Sequence, residues 1–226
     1  VDTSPPPGPV GLATADAPRA DSVDANGQPP ARHLLGMVHR SIAASGIPLR
    51  DIDGFAVVTG PGTFPGLRIG ISTIKGLAYA LSKPAVGVTS LSALAAQADL
   101  PTKFVCPVMD ARRNEVYYGL YVSERGEMSQ VGMHHVASPS ELAGDVRGSC
   151  QFIGNGARLY RETFEAALGS LAHFSHPCRD IIRAETIARL ALKQFRKNET
   201  PKLSAVVPYY IRKSDAERHA KHGGNV

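Results

Sequence analysis

Apolar positions along this chain follow two rhythms. Short β-rich runs stop at glycine, proline or aspartate, and longer stretches with helical spacing come after them. The clearest case is residues 52–82. Residues 55–58 (FAVV) form a short apolar run suited to a buried strand. Gly60, Pro61 and Gly62 then demand a turn, because glycine tolerates positive φ and proline fixes its own φ. From Gly66 onward Leu67, Ile69, Ile71, Ile74, Leu77, Ala78 and Leu81 recur at helical spacing. Strand, glycine turn and helix is a geometry that aims backbone N–H groups at an anion.

The same rhythm organises the rest. Val1-Asp2-Thr3-Ser4 reads as the end of a strand whose beginning is missing. A stiff turn (SPPPGP, 4–9) leads to two hairpin strands at 10–14 and 19–23, and Asn26-Gly27 signals another turn. Residues 31–45 predict an amphipathic helix with a stripe of Leu34, Leu35, Val38 and Ile42, entered at Pro30 and stopped at Gly46. A strand at 84–89 and a helix at 90–98 follow. After a break near Leu100-Pro101 the order starts again. A strand at 104–109 ends in Asp110-Ala111-Arg112. Strands at 115–122 and 132–136 follow, then a capping box of Ser138 and Glu141 opening a short helix. A strand at 151–153 meets the glycine turn Gly154-Asn155-Gly156 before a helix at 157–168. A helix at 186–195, an extended segment at 206–211 and a polar tail complete the chain.

Composition narrows the function classes. The 226 residues, 43% of them hydrophobic, suit one or two domains. No window is apolar and long enough for a membrane span, and no signal peptide opens the sequence, so a cytoplasmic protein without membrane association is expected. Cys106, Cys150 and Cys178 lack zinc-type spacing and predict free thiols. The net charge of +5 permits contact with nucleic acid, while the absence of Trp argues against a base-stacking platform. Basic residues gather late, at Lys193, Arg196, Lys197, Lys202, Arg212, Lys213, Arg218 and Lys221, as a solvated face or a weak contact to RNA phosphates.

Candidate chemistry is sparse. Residues 62–66 lack the Gly-Lys-Ser/Thr ending of a phosphate loop, and Pro65 stands where a dinucleotide fingerprint needs glycine. Ser4, Thr63 and Ser72 sit in no nucleophile elbow. His33 and His39 fall on different helical faces, and His134 and His135 on opposite sides of a strand. These, His173/His176 and His219/His222 read as surface residues rather than ligands. Asp2 and Asp110 read as turn caps rather than a catalytic pair. Ser72, Gly76 and Ala80, four apart, make a small-residue face that suits either packing inside the domain or close approach by another helix.

Two halves, each with an aspartate closing its first strand, resemble the fold shared by actin, sugar kinases and heat-shock chaperones (ASKHA). The more specific resemblance is to the TsaB (YeaZ) family. It rests on Val1-Asp2-Thr3-Ser4, GPGTFPGLRIG (60–70) with Lys75-Gly76-Leu77-Ala78, Met109-Asp110-Ala111-Arg112 with Glu115-Val116-Tyr117, Ile153-Gly154-Asn155-Gly156-Ala157, and Pro208-Tyr209-Tyr210-Ile211-Arg212. The resemblance implies an α/β fold of two tandem lobes, 1–100 and 101–226, with mixed sheets flanked by helices. It implies an inactive relative of TsaD: a non-catalytic scaffold that pairs with TsaD and the ATPase TsaE. That complex transfers threonylcarbamoyl to the adenosine next to the anticodon of ANN-decoding tRNAs, and the scaffold meets tRNA only through it. TsaD carries a metal-binding H-x-x-x-H pair, which this sequence lacks. No metal or cofactor of its own is implied, with ATP or ADP only at the shared interface. The implied contact comprises Leu34, Met37, Val38, His39, Arg40, Ser72, Lys75, Gly76, Tyr79 and Ala80. Without TsaD the same face is expected to pair with a second copy. Asp2, Gly60, Gly62, Gly66, Arg68, Asp110, Gly154 and Gly156 would be the remains of a nucleotide site. Here Pro65 replaces the family's usual Thr, removing a hydroxyl and a backbone donor. The competing expectation is a stand-alone nucleotide-binding kinase or ATPase of the ASKHA class.

Overall fold

The computed structural model describes residues 1–3, 8–14, 18–23, 30–124 and 127–212. Its architecture is mixed α/β, with sheets flanked by helices.

In the first half, β1 (Pro9–Ala13) and β2 (Pro18–Val23) form an antiparallel hairpin, with Val10 opposite Ser22. β3 (Phe55–Gly60) and β4 (Ala85–Thr89) pair in parallel, with Phe55 opposite Ala85. Residues 1–3 join the two pairs. The Val1 amino group donates to the Ala56 carbonyl (2.9 Å), and the Val58 N–H donates to the Val1 carbonyl (2.9 Å). The Asp2 N–H donates to the Pro9 carbonyl (3.0 Å). The spatial order is therefore β2, β1, residues 1–3, β3, β4.

The second half repeats that order. β5 (Phe104–Asp110) lies antiparallel to β6 (Val116–Glu124) and parallel to β8 (Cys150–Ile153). β7 (Glu127–Ala137) and β9 (Ala172–Phe174) flank them, giving β7-β6-β5-β8-β9. Asp110 thus closes a central strand flanked as the Asp2 segment is flanked.

Helices cover the sheets where their apolar stripes dictate. α1 (Pro30–Ser45) packs on β1 and on α2 (Phe64–Ala80), and α2 lies on β3. α3 (Ser90–Ala95) is capped by Thr89, whose hydroxyl accepts from the Ser92 N–H (3.1 Å), and it contacts both β4 and β5. α4 (Pro139–Asp145) opens with the predicted capping box of Ser138 and Glu141. α5 (Asn155–Leu159) and α6 (Arg161–Leu168) pack near β8. α7 (Ala184–Arg196) returns from the second half to lie on β1, β3 and β4. One apolar cluster runs through Val58, Val88 and Leu91 to Val105, Tyr121, Ile153 and Ile187, so the core is continuous across residue 100. A second cluster, built on Phe152, Phe164 and Leu142, fills the far side of the five-stranded sheet.

Several expectations change. In α1 the buried stripe is Leu34, Met37 and Val38 with Ile42 beside them, and Leu35 is 60% exposed. The helix expected at 157–168 breaks at Tyr160 (φ −112°, ψ 25°) into α5 and α6. β7 spans eleven residues instead of five, and β9 went unpredicted. Residues 206–211 carry no sheet pairing; Val206 is extended (φ −75°, ψ 93°), and the chain bends at Ile211. Asn26-Gly27, residues 4–7 of the proline-rich turn, His219, His222 and the tail from Lys213 lie outside the described residues. Cys106 and Cys150 are buried free thiols and Cys178 is an exposed one. Among the described residues no helix is long and apolar enough to cross a membrane.

Candidate functional site

The first glycine turn is filled by the chain itself. β3 ends at Gly60, whose φ of +127° and close neighbour, the Tyr209 carbonyl oxygen 2.6 Å from where a Cβ would stand, both require glycine. Gly62 follows, half-buried, and Thr63 precedes α2 without a side-chain cap. Gly66 and Gly70 face Thr3. A Cβ on Gly66 would enter the Thr3 carbonyl oxygen, and one on Gly70 would enter the Thr3 hydroxyl. That hydroxyl donates to the Gly66 carbonyl (2.7 Å). These two glycines therefore let residues 1–3 cross α2 at backbone distance. Arg68 is engaged as well. Its guanidinium lies 3.9 Å from the Phe64 ring centroid, and its Nε donates to the Tyr210 hydroxyl (3.3 Å).

The second turn has the same character. Gly154 has φ +110° and abuts the Val108 carbonyl, and Gly156 abuts the Met109 backbone. The Gly154 N–H donates to Oδ1 of Asp180 (2.8 Å), which also accepts from the Ser175 hydroxyl (2.9 Å). Arg158 pairs with the other oxygen of Asp180. A carboxylate of this chain thus meets the backbone donor of the turn. Sequence reasoning missed Asp180, because its partner Gly154 is 26 positions away and no spacing rule links them.

The two aspartates differ. Asp110 caps its turn: Oδ1 accepts the Arg112 N–H (2.8 Å), and Asn155 Oδ1 accepts the Asp110 N–H (3.1 Å). The turn that follows holds Arg112, Arg113 and Asn114 all at positive φ (62°, 56°, 57°). Asp2 is fully buried beside β1. Among the described residues no group of three or more His, Cys, Asp or Glu side chains is placed to hold a metal ion.

The helices α1 and α2 present a different surface. Leu34, Met37 and Val38 are core residues, packed beside Ile69 and Leu77 of α2. His39 and Arg40 are exposed. Ser72, Gly76, Tyr79 and Ala80 all face solvent, Tyr79 at 82% exposure, and a Cβ on Gly76 would meet nothing within 4 Å. Among the described residues the small-residue face serves no packing inside the chain. Lys75 turns the other way, its Nζ donating to the Val206 carbonyl (3.3 Å).

His134 is not the surface residue expected; it is 7% exposed. It is the buried end of a chain of hydrogen bonds that starts half-buried at Thr89. Thr89 Oγ1 donates to Ser92 Oγ (2.6 Å), Ser92 Oγ meets Tyr121 OH (3.0 Å), and Tyr121 OH meets His134 Nε2 (2.7 Å). Either oxygen can donate in the Ser92–Tyr121 bond, and the imidazole tautomer decides which atom donates between Tyr121 and His134. Burial and the neighbouring His135 hold the His134 pKa below its ordinary value, and burial pushes Tyr121 up to about 12.

A family model described as "TsaD: tRNA N6-adenosine threonylcarbamoyltransferase" matches residues 30–220. A Bacillus subtilis protein named tRNA threonylcarbamoyladenosine biosynthesis protein TsaB is 30% identical over 171 residues, covering 74% of this chain and 73% of the relative. The TsaB of Haemophilus influenzae is 30% identical over 195 residues, covering 80% and 79%. A solved structure of YeaZ from Pseudomonas aeruginosa superposes with a TM-score of 0.79 at 29% identity, covering 92% of this chain and 96% of that one.

Proposed function

Because the chain belongs to the TsaB/YeaZ family, we propose that it serves tRNA threonylcarbamoyladenosine biosynthesis as a non-catalytic scaffold. On this reading it pairs with TsaD, supports TsaE, and touches tRNA only through the assembly. The observation that carries the proposal is the solvent-facing row of Ser72, Gly76 and Ala80, flanked by Tyr79 on α2. Small side chains let a partner helix approach to van der Waals contact along its length, and the tyrosine supplies a large amphipathic anchor. The glycine turns add support: both are engaged by Thr3, Tyr209 and Asp180 of the chain itself.

In this assignment the contact surface is Ser72, Gly76, Tyr79 and Ala80 with His39, Arg40 and Leu35, while Leu34, Met37 and Val38 hold α1 in place from beneath. Lys75 sits at the margin. Without TsaD the same row pairs two copies of the chain.

The test is co-purification with TsaD. Gly76→Arg, which adds bulk where a Cβ meets none of the described residues within 4 Å, is expected to abolish the complex, leave the circular dichroism spectrum unchanged and not lower the melting temperature. Undiminished capture of TsaD by this variant would remove the assignment. ATP turnover by the isolated chain at about one per second or faster would replace the scaffold with an enzyme.

A further inference from the structure

Residues 206–212 make no sheet, yet each end of this short stretch is fixed to a different half of the molecule. At the first end Val206 is buried in the cluster of Phe55, Val57, Ile71 and Ile74, and its carbonyl accepts from Lys75 of α2. The Tyr209 N–H donates to the Thr59 carbonyl (2.8 Å) at the close of β3. The Tyr210 ring stacks on Phe64 (4.9 Å between centroids), in the first turn of α2. At the other end Arg212 Nη1 donates to the Ala111 carbonyl (3.1 Å), its Nη2 pairs with Glu115, and its guanidinium lies over the Tyr117 ring. Between them the Tyr209 ring meets His134 of β7 edge-on (5.5 Å), and Ile211 packs on the cluster that spans both sheets.

We propose that residues 206–212 form a strap that ties the β3–α2 corner to the β5–β6 turn, so that loosening either anchor loosens the other. The length of the stretch is the reason. Tyr210 and Arg212 are two residues apart, so at most about 7 Å of extended backbone separates the anchors. So short a link, bent at Ile211 and Arg212, absorbs little displacement: widening the gap pulls on the Tyr210 stack and the Arg212 fork together. The helix gripped at one end is also the helix carrying the exposed Ser72–Gly76–Ala80 row, so a shift of α2 reaches the turn of Arg112, Arg113 and Asn114 through seven residues. The strap requires nothing of the scaffold assignment, and its test uses the isolated chain.

Hydrogen exchange is measured for the wild type, Tyr210→Ala and Arg212→Ala. The reporters are the Leu67 amide, bonded to the Thr63 carbonyl in the first corner, and the Ala111 amide, bonded to the Glu115 carbonyl in the second. Either substitution is expected to speed exchange at both reporters, by about tenfold for the loss of one well-made contact. Amides of α6, whose Phe164 lies in the other apolar cluster, report global unfolding and stay unchanged. Should Arg212→Ala raise them too, Arg212→Lys, which keeps the charge but loses the fork, takes its place. Quickening confined to the substituted end would overturn the proposal.

Discussion

At the scale of single residues, three glycines on one helix behave in opposite ways. Gly66 and Gly70 of α2 face Thr3 with no room for a Cβ, whereas Gly76 faces open space. Gly66→Ala is therefore expected to lose about 1–3 kcal/mol through overpacking, despite the better helix propensity of alanine. Gly76→Ala is expected to gain up to about 1 kcal/mol, since only the backbone entropy changes. Urea titration of the two variants checks both signs. His134 sets a pH dependence. Its folded pKa lies below the ordinary 6.5, so the fold favours the neutral ring. That contribution is fully present above pH 6.5 and is lost as pH falls below it, because the unfolded chain takes up the proton first. Comparing wild type with His134→Phe at pH 7.5 and 5.5 should show the smaller loss in the variant. Sequence reasoning located these residues but not their surroundings. Glycine spacing marked the turn at 60–66, while the filling of that space by Thr3 and Tyr209 depends on contacts more than 60 and more than 140 positions apart. The burial of His134 escaped for a related reason, since its hydrogen-bonded partner Tyr121 lies on the neighbouring strand.

At the scale of elements, caps decide where helices begin. Thr89 accepts the Ser92 N–H and also starts the hydroxyl chain toward His134. Thr89→Val keeps the shape, removes both bonds, and is expected to cost about 1–2 kcal/mol, read as a lower melting temperature. The capping box at Ser138 was legible because its signature lies within four consecutive residues. The break at Tyr160 was not, since no proline or glycine stands there and the helical apolar spacing runs on. β9 was hidden for a different reason: three half-buried residues, Ala-His-Phe, form a strand only because β8 lies alongside. The stripe of α1 shows how a one-position shift in helical phase exchanges Leu35 for Met37 at the core.

At the scale of the whole molecule, the recurrence of strand order around Asp2 and Asp110 was readable, because strand-like runs and then a glycine turn follow each aspartate in the same sequence of elements. The path of α7 was not. Its apolar stripe of Ile187, Leu190 and Ala191 announced a helix with a buried face but named no sheet for it to cover. The structure sends it back to β1, β3 and β4. The far core is a separate unit of packing, in which Phe152 and Phe164 stack 4.7 Å apart with no exposure. Phe164→Ala is expected to cost about 3–5 kcal/mol, seen as a large drop in urea midpoint with the α1–α2 face intact.

The return of α7 also bears on how the molecule is made. During synthesis β1, β3 and β4 (complete at Ala13, Gly60 and Thr89) all emerge long before the helix that roofs them, which starts at Ala184. Until residue 196 is available, Val58 and Val88 have Leu91 and Leu94 of α3 beside them but lack Ile187 of α7. A nascent chain halted near residue 100 would expose a naked apolar floor, the kind of surface that recruits chaperones or clumps. Its first-made sheet is thus among the last to be sealed.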